Sequence, residues 1–155
     1  MSKEDLKLEL IDSLEKIYYM EAFSQLAEFL QGELYLLRFL SLNKGEEIGP
    51  SELSERLHMS RPRVTATIST LRKKGFVNTE LDKKDRRRLK VRITKKGIDY
   101  IIKKQTIVNE NFEEFINGIG EDDSRELIRI VDLAVKIMEN KQVKNGEKLW
   151  KILFI

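Results

Sequence analysis

The sequence predicts a mainly α-helical chain that carries one short two-stranded β-hairpin. Apolar residues recur at three- and four-residue spacing through most of the 155 residues, as the buried face of a helix requires. Two β-type runs, at 76–80 and 89–94, interrupt this pattern near the middle of the chain. The length is close to that of one domain, and a domain of this size buries enough surface to form a hydrophobic core.

The first half of the chain is predicted to form four helices. They cover about residues 4–28, 34–43, 50–57 and 60–74. Gly49 and Ser60 are expected to cap the third and fourth helices, and Pro50 suits a first helical position. Gly75 is expected to close the fourth helix, because glycine readily adopts the left-handed backbone found after helix ends.

The hairpin and two long helices complete the prediction. The two strands flank the segment LDKKDRRR, which is too highly charged to enter a core. Thr94 is expected to cap a fifth helix that covers about 95–117 and ends at Gly118. A sixth helix begins within 121–124, where acidic residues favour a helix N-terminus, and it carries a regular apolar stripe.

The composition excludes several classes of protein. The chain contains no Cys, which excludes disulfide scaffolds, thiolate metal sites and thiol redox sensing. The single histidine, His58, excludes a polyhistidine metal site within one chain, and neither a metal nor a cofactor is expected. Without a membrane-length apolar stretch or a signal-peptide run, a cytoplasmic protein is expected. No Gly-rich phosphate loop or nucleophile–base set indicates an enzyme.

The formal net charge of +3 conceals a strong asymmetry. Residues 60–97 contain 14 Lys and Arg but only 3 acidic residues, whereas the remainder of the chain is net negative. A basic block between two acidic flanks is typical of a surface that binds a polyanion such as a nucleic acid.

The predicted order of helix, short turn, helix and hairpin is that of a winged helix-turn-helix, with the hairpin as its wing. On a helical wheel of the fourth helix, Val64, Ile68 and Leu71 form one inward stripe. The opposite face carries short side chains that can approach base edges in a major groove, with basic residues that can reach phosphates. The face consists of Pro62, Ala66, Ser69 and Lys73, with Arg63, Thr65, Thr70 and Arg72 at its margins. The residues that can reach phosphates or guanine are Arg61, Arg63, Arg72 and Lys73.

The tip of the hairpin, 83–88, holds five basic residues and one acidic residue. A two-stranded ribbon with arginines at its tip has the width and charge that suit a minor groove. Asp85 could pair with the guanidinium of Arg87 and fix its direction. The candidate DNA-binding residues of the tip are Lys84, Asp85, Arg86, Arg87 and Arg88.

The segment GPSELSERLHMSRPRVTATISTLRKKGFV resembles the helix-turn-helix of the MarR family of bacterial and archaeal transcription regulators. The segment LDKKDRRRLKVRITKKG is similar to the wing of that family, with its signatures at Asp85-Arg86-Arg87 and at Ile93-Thr94-Lys95-Lys96-Gly97. The two matches cover about residues 31–97, and the helical pattern on both sides agrees with the plan of the family.

The resemblance implies an obligate homodimer that binds palindromic double-stranded DNA. The plan of the family assigns 1–30 to an N-terminal dimerisation helix, 31–97 to the winged helix-turn-helix, and 98–155 to C-terminal dimerisation helices and a tail. It also implies that Arg87 enters the minor groove and that Asp85 orients it. The implied major-groove residues are Ser60, Arg61, Pro62, Arg63, Thr65, Ala66, Ser69 and Arg72.

The function predicted from the sequence is a dimeric, sequence-specific DNA-binding transcriptional regulator that acts as a repressor. The alternative is a winged domain that binds an acidic protein partner through the same basic surface. A small-molecule effector is a further possible partner, because many relatives respond to aromatic or anionic ligands. Its candidate residues, whose aromatic members also suit a core, are Tyr18, Tyr19, Phe23, Tyr35, Arg38 and Phe39. The apolar tail LWKILFI either packs on the helices or forms a patch that binds a partner.

Overall fold

The computed structural model describes residues 2–83, 85 and 88–144. Within these ranges the fold is mainly helical with a two-stranded antiparallel wing, as the sequence predicts. The chain divides into two compact units, Met1–Phe112 and Glu113–Ile155. The elements are α1 (Lys3–Tyr19), α2 (Glu21–Phe29), α3 (Gly32–Leu42), α4 (Pro50–Arg56), α5 (Arg61–Lys73), β1 (Val77–Leu81), β2 (Leu89–Ile93), α6 (Lys95–Ile119) and α7 (Glu121–Lys144).

The prediction of one continuous first helix is wrong, because the helix breaks at Met20. This residue has an extended backbone (φ −70°, ψ 137°), so it ends α1 and begins α2. No Gly or Pro marks the break in the sequence. The two helices also differ in burial: α2 places Phe29 in the core at 3% exposure, whereas none of the residues of α1 is buried. The break therefore separates a helix of the core from an exposed one.

The predicted end of the fifth helix is also wrong. Gly118 lies inside α6, and the residue that ends the helix is Gly120, with a φ of +89°. The backbone N–H of Gly120 donates to the carbonyl of Ile116 at 2.9 Å. Gly118 and Gly120 are equally good candidates for the helix end in the sequence, because glycine is favoured there. Only the backbone shows that Gly120 is the left-handed residue. The strands differ from the predicted runs by one residue at one or both ends.

The core of the first unit is built around α3, where Leu36 and Leu37 are both 0% exposed. The other fully shielded side chains come from the loop before α4, from α4 and α5, and from both strands: Ile48, Leu53, Val64, Leu71, Val77 and Val91. One face of α5 is thus fixed in the core, and its other face is available at the surface.

The wing is connected to the loop before α4 as well as to the helices beside it in sequence. β1 and β2 pair antiparallel from Val77↔Ile93 to Leu81↔Leu89. Ile48 adds an isolated antiparallel bridge to Val91, whose N–H donates to the Ile48 carbonyl at 2.9 Å. This third backbone segment fixes the middle of the wing strands against the start of the helix-turn-helix.

The turn between α4 and α5 requires a left-handed residue. His58 has a φ of +49°, and it is the position after the helix end at which glycine or asparagine is favoured. On either side of it, the N–H of Met59 donates to the Ser54 carbonyl at 3.1 Å, and the Ser54 hydroxyl donates to the Met59 carbonyl at 2.6 Å. The exposed histidine serves as a turn residue.

We expect His58→Gly to raise the free energy of unfolding by about 0.5–1 kcal/mol, because glycine adopts the left-handed backbone without the steric cost of a Cβ. Denaturant unfolding of the two proteins measures the difference. Glu55→Gly, at an exposed position within α4, is the matched control and should lower the same free energy by about 1 kcal/mol. A loss of stability in His58→Gly would contradict the interpretation.

Candidate nucleic-acid interface

The fourth predicted helix forms as expected and is held by its cap and by its buried stripe. Ser60 is the N-cap of α5, and its hydroxyl accepts from the N–H of Arg63 at 3.4 Å. Val64, Ile68 and Leu71 are the buried residues of the helix, which confirms the predicted inward stripe. Since these three side chains lie in the core, the opposite face of α5 cannot rotate inward.

The opposite face of α5 presents short side chains with basic residues around them. Ala66 lies at its centre and is exposed, and Ser69 is half-buried. The hydroxyls of Thr67 and Thr70 donate to backbone carbonyls one turn earlier, at 2.8 and 3.1 Å. The other exposed candidates on this face are Ser60, Arg61, Pro62, Arg63, Thr65, Arg72 and Lys73. Because the side chains at the centre of this face are short, the helix can approach base edges closely.

The charge count from the sequence overstates the positive charge that is free to meet a partner. The Lys74 ammonium lies 2.5 Å from Glu33, and this hydrogen bond raises the pKa of Lys74 above its ordinary value. Lys90 and Arg92 also pair with carboxylates. Among the described residues, by contrast, Arg61, Arg63 and Lys73 form no ion pair. The exposed face of α5 therefore keeps cations that no carboxylate engages.

The wing tip lies partly within the described residues. Asp85 and Arg88 are both exposed, and the Arg88 N–H donates to the Asp85 carbonyl at 2.9 Å. Lys84, Arg86 and Arg87 lie outside the described residues. The pairing of Asp85 with Arg87 and the entry of Arg87 into a minor groove therefore stay predictions.

The sequence analysis missed a set of ion pairs along the wing strands and at their tip end. Lys90 lies 2.8 Å from Asp82 and 2.5 Å from Glu47, and these hydrogen bonds raise the pKa of Lys90, with Asp82 as the larger cause. Arg92 lies 2.9 Å from Glu80 and 3.2 Å from Glu47. Glu47 is more than 40 residues from both cations in sequence, so no local pattern could have indicated these contacts.

Two of the six candidate effector residues, Tyr18 and Tyr19, line one cavity of the described part of the chain. Tyr18 and Tyr19 are exposed, meet edge to face at 5.3 Å, and line a cavity of about 320 Å³ with Ser24, Glu28 and Gln31 among others. The remaining candidates make contacts elsewhere in the first unit. Phe23 packs on Phe112, Tyr35 and Phe39 pack against the core, and the Arg38 guanidinium lies over the ring of Phe29.

The described residues offer no group of three or more His, Cys, Asp or Glu side chains that could hold a metal ion. None of the helices in the same part of the chain is long and apolar enough to cross a membrane.

The helix pair α4–α5, the wing formed by β1 and β2, and the exposed basic face of α5 define a winged helix-turn-helix protein. Residues 30–88 match the model of the MarR family. This match confirms, for residues 30–88, the resemblance to the MarR family that the sequence shows.

Named relatives agree with this assignment. The HTH-type transcriptional regulator PrsX of Escherichia coli is 28% identical over 85 residues, which are 55% of this chain and 51% of that protein. The transcriptional regulator BldR of Sulfolobus solfataricus is 26% identical, with a TM-score of 0.50 over 88% of this chain and 99% of its own. Both names describe regulators rather than enzymes, as the sequence predicts.

The fold of the chain is also similar to that of a protein solved in complex with DNA. A mutant of MepR from Staphylococcus aureus, bound to an oligodeoxyribonucleotide, is 15% identical with a TM-score of 0.59, over 89% of this chain and 99% of that one. At this identity the match shows a shared fold. The chain spans about half the length of the curated relatives it matches.

Proposed function

We propose that the protein is a homodimeric, sequence-specific DNA-binding transcriptional regulator of the cytoplasm that acts as a repressor. In this proposal α5 enters the major groove of each half of a palindromic operator, and the arginine-rich wing tip enters the adjacent minor groove. The MarR-family match of residues 30–88 supports the regulator class, and the surface of α5 supports the mode of binding.

The observation that carries the proposal is the contrast between the two faces of α5. One face is fixed in the core by Val64, Ile68 and Leu71. The other contains no acidic residue between Ser60 and Gly75 and holds short side chains among unpaired cations. Phosphates attract such a surface regardless of sequence, and close contact with base edges then supplies the specificity.

Two exposed apolar faces support the homodimer. Every large apolar residue of α1 from Leu6 to Leu14 is more than half exposed. On α7, in the second unit, the exposed apolar side chains are Ile128, Ile130, Val131, Leu133, Ile137 and Met138, at 47–60% exposure. Clusters of exposed apolar side chains mark interaction sites on soluble proteins. Two-fold pairing would place the two α5 helices about 34–36 Å apart, one turn of duplex.

Selection of bound duplexes from a random pool tests the function directly. We expect the enriched sequences to form a palindrome whose half-sites are about 10 base pairs apart from centre to centre. Sedimentation of the same complex should give two protein chains per duplex. A monomeric protein, or a pool that shows no enrichment even at low salt, would contradict the proposal and would favour the alternative, an acidic protein partner.

We expect Arg63→Ala to reduce the magnitude of the log–log salt slope of operator binding by about 0.9, because each phosphate contact releases bound counterions. Titrations of one duplex at several salt concentrations measure the slope. Lys74→Ala is the matched control, since its ammonium is already engaged by Glu33, and its slope should equal that of the wild type. An unchanged slope in Arg63→Ala would place that guanidinium away from DNA.

The effector site of this proposal is restricted to the exposed end of α1. Tyr18 and Tyr19 line the cavity beside α2, whereas the other four candidates have contacts within the first unit. We propose that an aromatic effector, where one acts, stacks on this tyrosine pair. Quenching of tyrosine fluorescence that is lost in Tyr19→Ala would support the assignment.

A further inference from the structure

The tip end of the wing strands is held by one lysine that joins two carboxylates from distant parts of the chain. The Lys90 ammonium lies 2.8 Å from Asp82 Oδ2 and 2.5 Å from Glu47 Oε2. The side chains of Lys90 and Asp82 are only 14% and 16% exposed, so water screens this pair weakly. Lys90 could therefore reach a duplex phosphate only by giving up two ion pairs.

Asp82 also connects Lys90 to the turn at the tip side of the wing. Its second oxygen, Oδ1, accepts from the backbone N–H of Asp85 at 3.1 Å. The backbone N–H of Asp82 donates to the Arg88 carbonyl at 2.8 Å. Asp82 thus binds Lys90 and Asp85 through its carboxylate and Arg88 through its backbone N–H, and it fixes the backbone from which Asp85 and Arg88 project.

Glu47 provides the other end of the connection. It precedes Ile48, whose carbonyl accepts from the N–H of Val91, and the same loop leads directly into α4. The path from Asp85 through Asp82, Lys90 and Glu47 therefore runs from the wing to the helix-turn-helix. Because its members belong to different segments, it constrains the direction of the wing relative to α4.

We propose that Asp82, Lys90 and Glu47 form a positioning network that sets the direction of the wing for DNA binding. The inference rests on the proposed function, and it assigns Lys90 to positioning although a count of charges would place it among the phosphate contacts. Asp82 and Glu47 act through Lys90 and the wing backbone, and none of the three is required to touch DNA.

The sign of the effect of Asp82→Asn tests this network. Removal of a negative charge near a polyanion strengthens binding by simple electrostatics. A positioning role gives the opposite sign: the full-length Asp82→Asn protein should bind the selected palindrome about tenfold more weakly, and a random duplex about as well as the wild type. Fluorescence anisotropy at one salt concentration, with both duplexes, measures these affinities.

Variants at Lys90 separate positioning from general stability. Lys90→Met should weaken binding to the palindrome as much as Asp82→Asn, and the double variant should be no weaker than either single variant, since all three break one network. Lys90→Arg, which retains the positive charge, should bind the palindrome with most of the wild-type affinity. Thermal unfolding by circular dichroism verifies that each variant is folded, and Glu47→Gln replaces Asp82→Asn if the latter does not fold.

Two outcomes would overturn the inference: tighter or unchanged binding of the palindrome by Asp82→Asn, or additive losses in the double variant. Its failure is distinct from failure of the proposed function. If only the inference fails, the wild type still binds a selected duplex and the variants of the network bind it as well as the wild type does. If the proposed function fails, the wild type selects no duplex.

Discussion

Ala66→Glu is expected to abolish specific binding of the operator, with a loss of at least about 100-fold in affinity. Ala66 lies at the centre of the exposed face of α5, where the proposed complex brings the helix against the duplex. A carboxylate at this position would face phosphates and base acceptors. It would also lie one turn after Arg63 and neutralise that guanidinium as a phosphate contact.

The loss in Ala66→Glu should leave the fold intact, because glutamate is a good helix former and position 66 is exposed. Operator titration measures the affinity, and circular dichroism and sedimentation report the fold and the dimer. Gln105→Glu, an equal change of charge at an exposed position of α6, is the matched control and should bind within about twofold of the wild type. Equal losses in both variants would contradict a role for this face of α5.

Gly97→Ala is expected to lower the free energy of unfolding by about 3 kcal/mol. A Cβ placed on Gly97 would lie 2.2 Å from the carbonyl oxygen of Phe76 and 2.9 Å from the Ile93 side chain. The first of these atoms belongs to the backbone and cannot move aside without a shift of the wing. The same region is held by Thr94, whose hydroxyl accepts from the Gly97 N–H and donates to the Gly75 carbonyl.

Gly118→Ala is the matched control for Gly97→Ala, because both glycines lie in α6. A Cβ on Gly118 has no atom within 4 Å, so alanine should raise the free energy of unfolding by up to about 1 kcal/mol through its helix propensity. Thermal unfolding of the two variants should therefore shift in opposite directions. A stable Gly97→Ala would show that α6 can separate from the wing at little cost.

The sequence predicts most helix boundaries where a capping residue fixes them. Gly49, Pro50, Ser60 and Thr94 act as expected, since the hydrogen bonds of a cap are formed within a few residues. The buried stripe of α5 follows from the helical period alone. The boundaries at Met20 and Gly120 were missed because composition gives no local signal for the first and an ambiguous one for the second.

Long-range contacts account for what the sequence could not predict about the candidate site. A count of charges treats Lys74 and Lys90 as free cations, yet Glu33 and Glu47 engage them from more than 40 residues away. The bridge between Ile48 and Val91 also joins two segments that are far apart in the sequence. Such contacts depend on which segments the core brings together, and periodicity describes only one segment at a time.

Because none of the residues of α1 is buried, assembly of the protein should depend on its concentration. A 17-residue helix that buries none of its residues is only marginally stable in water when it has no partner. In the proposed homodimer, α1 becomes ordered as the chains associate, so helix content should rise with protein concentration and fall on dilution. A cell that makes little of this protein would then hold it partly unwound and unable to bind DNA, and occupancy of the operator would rise steeply once synthesis passes the dissociation constant of the dimer.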